Sequence, residues 1–333
     1  MRREVNEGTA LGEPNSVKGR RRRRAGLFRR AGEIVEYAGL RTVAALVRAL
    51  PVDSSSSLMG AAWECVAPRT RRHRRVLENL RRAFPDKTEA EREAIARAQW
   101  NNLGRTFAET FQIDRILADG SRFEVVLPDA VRARIADCPT GAVFVALHSA
   151  NWEVAAWPLR SRYSLAGIYQ KLSNPRSDRY VTGLRSELFD GGLFSKGHTT
   201  PGRVMRWVRS GNAIGLLGDH RETNGVPVTF FGREATANPF PAMLARRLHV
   251  PLFAGRVVRL AGSRFRIDGV EIPVPETNDP TADVLAATQS LQAQFEAWIR
   301  ERPQEWMWVH DRWRIGRRRK QAGELGIAAA KRT

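Results

Sequence analysis

Short apolar runs alternating with helix-period segments, beginning at residue 141, constrain this chain more than any other feature. GAVFVAL (141–147) is a buried-strand run, and a helical pattern follows near 151–162. A strand at 165–170 and a helix near 175–190 repeat the unit; 203–210 is helical, and AIGLLGD (213–219) is another strand. VTFF (228–231) adds a short strand before a helix through 242–248, and PLFAGRVVRL and FRIDGVEIP then pair as neighbours. The series closes with a helix over 281–300 whose core candidates are Leu285, Leu291, Phe295 and Trp298. Such alternation predicts an α/β fold: a mixed, partly parallel central sheet with helices on both faces. Residues 70–118 read as helices, with Val76, Leu77, Leu80 and Phe84 at helical spacing. Pro85 and Asp86 interrupt them, and Thr88 with Glu91 has the form of a capping box.

Charge divides the chain differently. The 333 residues hold 55 Lys+Arg against 35 Asp+Glu, a net charge of +20, which suits nucleic acid or an anionic membrane. With 42% hydrophobic residues the chain buries a core, so wholesale disorder is excluded. Residues 18–31, 69–82 and 312–333 contribute +8, +6 and +7, whereas the long stretch 83–311 sums to only +2. A basic nucleic-acid groove would spread charge through the body; three basic segments around a neutral one fit a protein resting on a surface. Between the first two lies IVEYAGLRTVAALVRALPV (34–52), followed by SSSSLMGAAWECVAP, with Glu36, Arg41 and Arg48 interrupting the apolar residues. No apolar run reaches the roughly 18 residues of a spanning helix. Arg41 and Arg48 share one helical face, and Leu40, Val43, Ala44, Val47 and Leu50 populate another, a pattern that suits the headgroup interface of an anionic bilayer. The competing reading is a helix docked on the protein's own core. The basic run starts too late for a signal peptide and lacks a cleavage site, so the segment is retained. The expected organisation is a disordered basic leader (1–32), a membrane-associating segment (33–68), a catalytic domain (69–315) and a basic tail (316–333). Two cysteines, Cys65 and Cys138, build neither a disulfide scaffold nor a multi-Cys zinc site, and both are expected in the core.

The richest chemistry is in LHSANWE. His148 follows the strand 141–147, and open α/β sheets bind ligands beyond the carboxyl ends of their strands. On one continuous helix Glu153 would stand about 140° away from it. With His148 in the strand-to-helix loop and a helix starting near Asn151, Glu153 turns back toward the imidazole. One ring nitrogen then binds Glu153 and the other is free to take a proton. A base with an orienter and no serine or cysteine nucleophile suits activation of a hydroxyl for attack on an acyl carbonyl. A metal is disfavoured, since no second His lies at helical spacing from His148 and no Cys/His cluster exists. The plain alternative is a strand-end histidine hydrogen-bonded to its loop. Asp219, at the end of a buried strand, is a further site candidate or a turn cap, and Arg233 is a phosphate contact or a surface arginine.

Four blocks in order carry a family resemblance. HSANWE matches a His-x4-Asp/Glu motif, and RRVLENLRRAFPDKT an Asn-Leu…Phe-Pro segment with Glu109 in the next helix. GLLGDHRETNGVPVTFFGREA matches an Asp…Val-x-Phe-Phe-Gly block, and ERPQEWMWVHDRWR a Pro-x-x-Trp-x-Trp…Arg-Trp signature. From about residue 33 to 315 the chain resembles the bacterial lipid A biosynthesis acyltransferases of the late lauroyl/myristoyl type. They fall within the wider lysophospholipid and glycerolipid acyltransferase superfamily. The resemblance implies transfer of a fatty acyl group from an acyl-carrier-protein thioester, possible also from coenzyme A, to a hydroxyl of a lipid A precursor. A phosphatidylinositol mannoside or another glycolipid is the alternative acceptor. It implies His148 as base, Glu153 as its orienter, and Asn151 as a loop holder or oxyanion donor. No cofactor and no nucleic acid are expected, and the enzyme is expected to work on an anionic membrane, at the cytoplasmic face of the inner membrane. The family's Tyr-Arg pair is replaced here by Tyr169-Gln170-Lys171, leaving Lys171, Arg185 or Arg176 to supply that charge. Trp306, Trp308 and Trp313 are expected to pack near the site. A non-catalytic basic membrane- or nucleic-acid-binding protein is the competing class.

Overall fold

The computed structural model describes residues 15–137 and 140–313, with side chains over 29–136 and 140–313. Cys138, the first 14 residues and the tail 316–333 lie outside the described residues. Five helices come first: α1 (Asn15–Arg48), α2 (Val52–Val66), α3 (Arg71–Ala83), α4 (Glu89–Thr110) and α5 (Ile113–Ala118). The alternating part runs β1 (Phe123–Val126), α6 (Asp129–Asp137), β2 (Ala142–Ala146), β3 (Leu165–Tyr169), α7 (Pro175–Leu184), β4 (Leu193–Ser195), α8 (Thr200–Arg209) and β5 (Ala213–Leu217). The hairpin β6 (Val226–Phe230) and β7 (Arg233–Ala237) follows, then α9 (Phe240–Leu248), β8 (Leu252–Arg259), β9 (Phe265–Ile272) and α10 (Pro280–Glu301). The capping box forms as expected, Thr88 Oγ1 accepting from Glu91 N and Glu91 Oε2 accepting from Thr88 N.

Seven strands make the central sheet in the order β1-β9-β8-β2-β5-β3-β4. Every pairing is parallel except β8 with β9. β2 and β5 are neighbours whose onward connections diverge, one toward β3 and one toward β8. That makes a topological switch point, where open α/β sheets form a crevice beyond their carboxyl ends. Gly218 N–H donates to Ala146 O (3.0 Å) and extends the β2–β5 ladder past the named strands. A side chain at Gly218 would meet Val145 Cγ1 at 2.4 Å, so only glycine lets the two strand ends run this close.

One apolar layer, built on Val143, Val145, Leu252, Leu291, Phe295 and Trp306, lies on the face covered by α8, α9 and α10. Leu188, Val257, Phe265 and Ile267 belong to a second cluster on the other face. α2 and α4 pack closely because Gly60 and Gly104 face each other's backbones: a Cβ at Gly104 would lie 2.5 Å from Met59 O.

Several expectations need correction. Residues 15–32, expected in a disordered leader, form the first turns of α1. The segment after His148 is 3-10 rather than α-helical (Trp152–Leu159), because Pro158 has no N–H and disfavours α geometry at the preceding residue. Leu285 is 39% exposed, and Cys65 is exposed rather than a core residue. β1, β4, β7 and α6 were not legible in the apolar pattern. Three of them are short edge or hairpin strands of three to five residues.

Candidate active site

His148 sits in the loop leaving β2, and nearly every polar backbone group of that loop is held by a distant element. Ala150, at φ 46° in the left-handed region, receives Thr106 Oγ1 from α4 on its carbonyl (2.7 Å) and donates its N–H to Glu305 O (3.0 Å). Ser149 Oγ donates to Val257 O (3.0 Å), and Met307 N–H donates to His148 O (3.1 Å). A non-glycine residue at positive φ costs energy and persists only where its surroundings over-determine it.

Asp219, one residue past Gly218, receives three hydrogen bonds. His148 Nδ1–H donates to Oδ1 (2.8 Å), and His148 N–H (3.0 Å) and Trp306 Nε1–H (2.7 Å) both donate to Oδ2. Burial alone would raise this carboxyl; the His148 imidazole outweighs it and holds Asp219 below the usual carboxylate range. An ionised Asp219 assigns the proton to Nδ1 and leaves Nε2 as the lone-pair nitrogen. Behind it, Gln292 Nε2–H donates to Gly218 O (3.0 Å), and the buried Arg312 guanidinium donates to Gln292 Oε1 (2.8 Å) over the Phe230 ring.

Glu153 does not orient His148. Its carboxylate forms a two-point ion pair with Arg185, with Nε to Oε2 at 2.7 Å and Nη2 to Oε1 at 2.5 Å. The 3-10 geometry turns Glu153 along the cavity wall toward α7. Burial would lower the Arg185 guanidinium, but Glu153 more than compensates and raises it. Asn151 is buried and holds the loop: Nδ2–H donates to Glu109 Oε2 (3.0 Å) and Oδ1 accepts from Glu153 N–H (3.2 Å). Glu109 is itself fully buried, paired with Arg259 and accepting from Ser56 Oγ (2.7 Å). Lys171 is exposed beyond β3 and does not line the cavity, and Arg176 is exposed at the start of α7. Arg233 points away to donate to Arg82 O (3.0 Å) and is a hairpin contact, not part of the site. Arg185 is thus the arginine that reaches the cavity.

Two histidines that spacing did not reveal complete the cluster. His220 lies flat on His148, centroids 3.9 Å apart and planes within 2°, and His310 packs against His220 at 3.6 Å, tilted by 45°. The ligand atoms of His148, Asp219 and His220 fall within 4.8 Å of one another. Both Asp219 oxygens and His148 Nδ1 are already engaged, and parallel rings hold their lone pairs in parallel planes that do not converge on one ion. The donor set fits a hydrogen-bonded base better than a metal centre.

The cluster opens into a cavity of about 710 Å³, within the range of small-molecule sites. His148, His220, Glu153 and Arg185 line it at the carboxyl ends of the strands, and Phe144, Leu159, Phe253 and Val131 line its apolar part. Gly167, Gly215, Gly255 and Gly269, on four strands, present bare backbone to the same space. All three signature tryptophans are buried.

The model of a family described as bacterial lipid A biosynthesis acyltransferase matches residues 25–315. A phosphatidylinositol mannoside acyltransferase of Mycolicibacterium smegmatis is 28% identical over 276 residues, covering 80% of this chain and 88% of that protein. Proteins of the same name from two strains of Mycobacterium tuberculosis are each 25% identical over 258 residues, covering 71% of this chain and 75% of theirs.

Proposed function

The chain belongs to the bacterial lipid A biosynthesis acyltransferase family and is an acyltransferase, and from that premise we propose that it acylates a hydroxyl of a phosphatidylinositol mannoside-type glycolipid, using a fatty acyl thioester as donor. The observation that carries this reading is a histidine whose free Nε2 faces a large apolar cavity while its Nδ1 is bound to a buried carboxylate. The acceptor rests on the names of the relatives. A lipid A precursor, the first expectation from sequence, has only the family description behind it and is the second reading.

In the proposed reaction the acyl chain occupies the apolar cavity and brings its thioester carbonyl to His148. Nε2 removes the acceptor hydroxyl's proton as the oxygen attacks the carbonyl carbon. Asp219 stabilises the imidazolium that forms. The tetrahedral adduct collapses with loss of the thiolate, which takes the proton back from Nε2. The products are an ester and a thiol, and no acyl-enzyme is formed. Arg185, fixed by Glu153, supplies positive charge in the cavity.

The surface on which donor and acceptor meet is proposed to be an anionic bilayer, the cytoplasmic face of the inner membrane. The face expected to meet the bilayer does not: Leu40, Val43, Ala44 and Val47 pack on Ala108 and Phe111 of this chain. Instead α1 turns Val35, Ala38, Thr42, Ala45 and Leu46 outward, and α2 turns Leu58, Ala61, Ala62, Cys65 and Val66 outward. Val35 is 72%, Leu46 66%, Leu58 63% and Val66 61% exposed. Next to them Arg71, Arg72, Arg74 and Arg75 make no ion pair among the described residues. Apolar stripes flanked by unpaired arginines suit an interfacial position. No helix among the described residues is long and apolar enough to cross a membrane.

The test is transfer in anionic vesicles holding either a phosphatidylinositol mannoside or a lipid A precursor. The donor is acyl-coenzyme A in one arm and acyl-carrier protein in the other, and products are read by mass spectrometry. One added acyl mass on the mannoside is expected, with His148→Ala reducing the rate about 10²–10⁴-fold. Undiminished activity in His148→Ala would discard the site, and transfer to the lipid A precursor alone would reverse the choice of acceptor.

A further inference from the structure

The proposed reaction leaves His220 and His310 of the histidine cluster unused, and of these two only His220 has a buried ring nitrogen without a partner among the described residues. Neither of its ring nitrogens has a hydrogen-bond partner among the described residues, although Nε2 is buried. Buried polar side-chain atoms are nearly always paired, and an exception beside a reactive group calls for a missing partner. The ring is held by packing: His148 stacks on one face at 3.9 Å, and His310, tilted by 45°, packs against it at 3.6 Å. Its edge lines the same cavity as His148. Two parallel imidazoles one ring thickness apart present their edges to the cavity side by side.

We infer that His220 donates the hydrogen bond that receives the thioester carbonyl oxygen as it becomes an oxyanion. The inference rests on the acyl-transfer reading above. The hydroxyl oxygen attacks at His148 Nε2; the carbonyl carbon gains the new C–O bond, and its π pair moves onto the carbonyl oxygen beside His220. Re-forming the carbonyl expels the thiolate, which leaves with the proton held by His148. His220 keeps its proton throughout. Burial, reinforced by the neighbouring His148, pushes His220 down to about 3, so the ring is neutral at physiological pH and offers one N–H. A neutral donor suits this place, since a second imidazolium stacked on His148 would oppose the charge His148 must take up. The donors of the His148 loop are committed: its own N–H to Asp219, Ser149 N–H to Leu147 O (2.8 Å), Ala150 N–H to Glu305 O, and Asn151 Nδ2 to Glu109. The rings of Trp152 and His310 stand at 5.1 and 6.2 Å from His148, farther than His220 at 3.9 Å.

His220→Phe keeps the stacked ring and removes the N–H; His220→Asn restores a donor without the ring. In the vesicle assay, His220→Phe is expected to lower kcat about 10²–10³-fold with KM within about threefold. His220→Asn is expected to recover at least about tenfold of that loss. A thioether analogue of the donor, which lacks the carbonyl oxygen, is expected to bind wild type and His220→Phe equally. If His220→Phe loses its folded signal, His220→Met replaces it in the same comparison. A kcat for the apolar variant within about threefold of wild type, or a loss confined to KM, overturns the inference. Such a result beside an active wild type and an inactive His148→Ala overturns this inference alone. A wild type inactive on every acceptor overturns the acyl-transfer reading with it.

Discussion

Asp219 is where the site's requirements meet. It is buried, ionised and saturated by three donors, so its two oxygens fix both the tautomer of His148 and the angle at which the ring faces the cavity. A buried carboxylate with a single partner would be a liability, whereas a fully hydrogen-bonded one is a rigid fixture. The neighbouring His220 has a measurable consequence for acid stability. Its folded value of about 3 lies below that of an ordinary histidine, so between about pH 6.5 and 3 the unfolded chain binds the proton that the folded one refuses. Its contribution is fully present above pH 6.5 and is lost as the pH falls through that window. At pH 5 the loss amounts to about 2 kcal/mol. The fall in thermal midpoint from pH 7.5 to pH 5 is therefore expected to be smaller in His220→Phe than in wild type. Equal falls would mean that the folded ring takes up its proton normally.

The strands contribute by what they omit. Gly167, Gly215, Gly255 and Gly269 leave bare backbone along the cavity, and the neighbouring Phe144 and Phe253 stack at 4.9 Å. A Cβ at Gly255 would find only Asp268 O, at 3.8 Å, so a side chain there enters open space instead of the core. Gly255→Leu is expected to fold normally and to shift donor preference toward shorter acyl chains. The discrimination is about 10–200-fold per methylene that no longer fits. Comparing kcat/KM over saturated thioesters of increasing length checks this, and an unchanged length profile would place the acyl chain elsewhere. The strands β2, β3, β5 and β8 were legible as mainly apolar runs bounded by turn residues, and β9 as an alternation of apolar and polar residues. β1 and β4 were not, since a few half-buried residues at a sheet edge carry no period distinct from loop.

At the scale of the molecule, apolar stripes and unpaired arginines sit on the N-terminal helices while the catalytic body is close to neutral. A double substitution, Leu58→Glu with Val66→Glu, is expected to reduce co-sedimentation with anionic vesicles at least about tenfold, each exposed residue contributing about 1.5–3 kcal/mol when buried. Thermal stability should be nearly unchanged, because both side chains face solvent. Raised salt should weaken the wild type's binding through its arginines. Vesicle binding indifferent to both treatments would remove the helices from the membrane contact.

The sequence by itself determined the α/β class, the basic flanks, the family and the place of His148 at a strand end. Each of these is a local pattern or an ordered set of motifs, readable without knowing which strands are neighbours. It placed Glu153 beside His148 by expecting a helix to start near Asn151 and turn the carboxylate back, and there the tertiary structure decided otherwise. The partners of His148 and Asp219 lie 71 and 87 residues away along the chain and meet only because β5 inserts next to β2 and the 305–307 segment closes over both. Spacing reports what one element can present on one face; strand order, which brings distant side chains together, is set by how the whole sheet buries its two apolar faces.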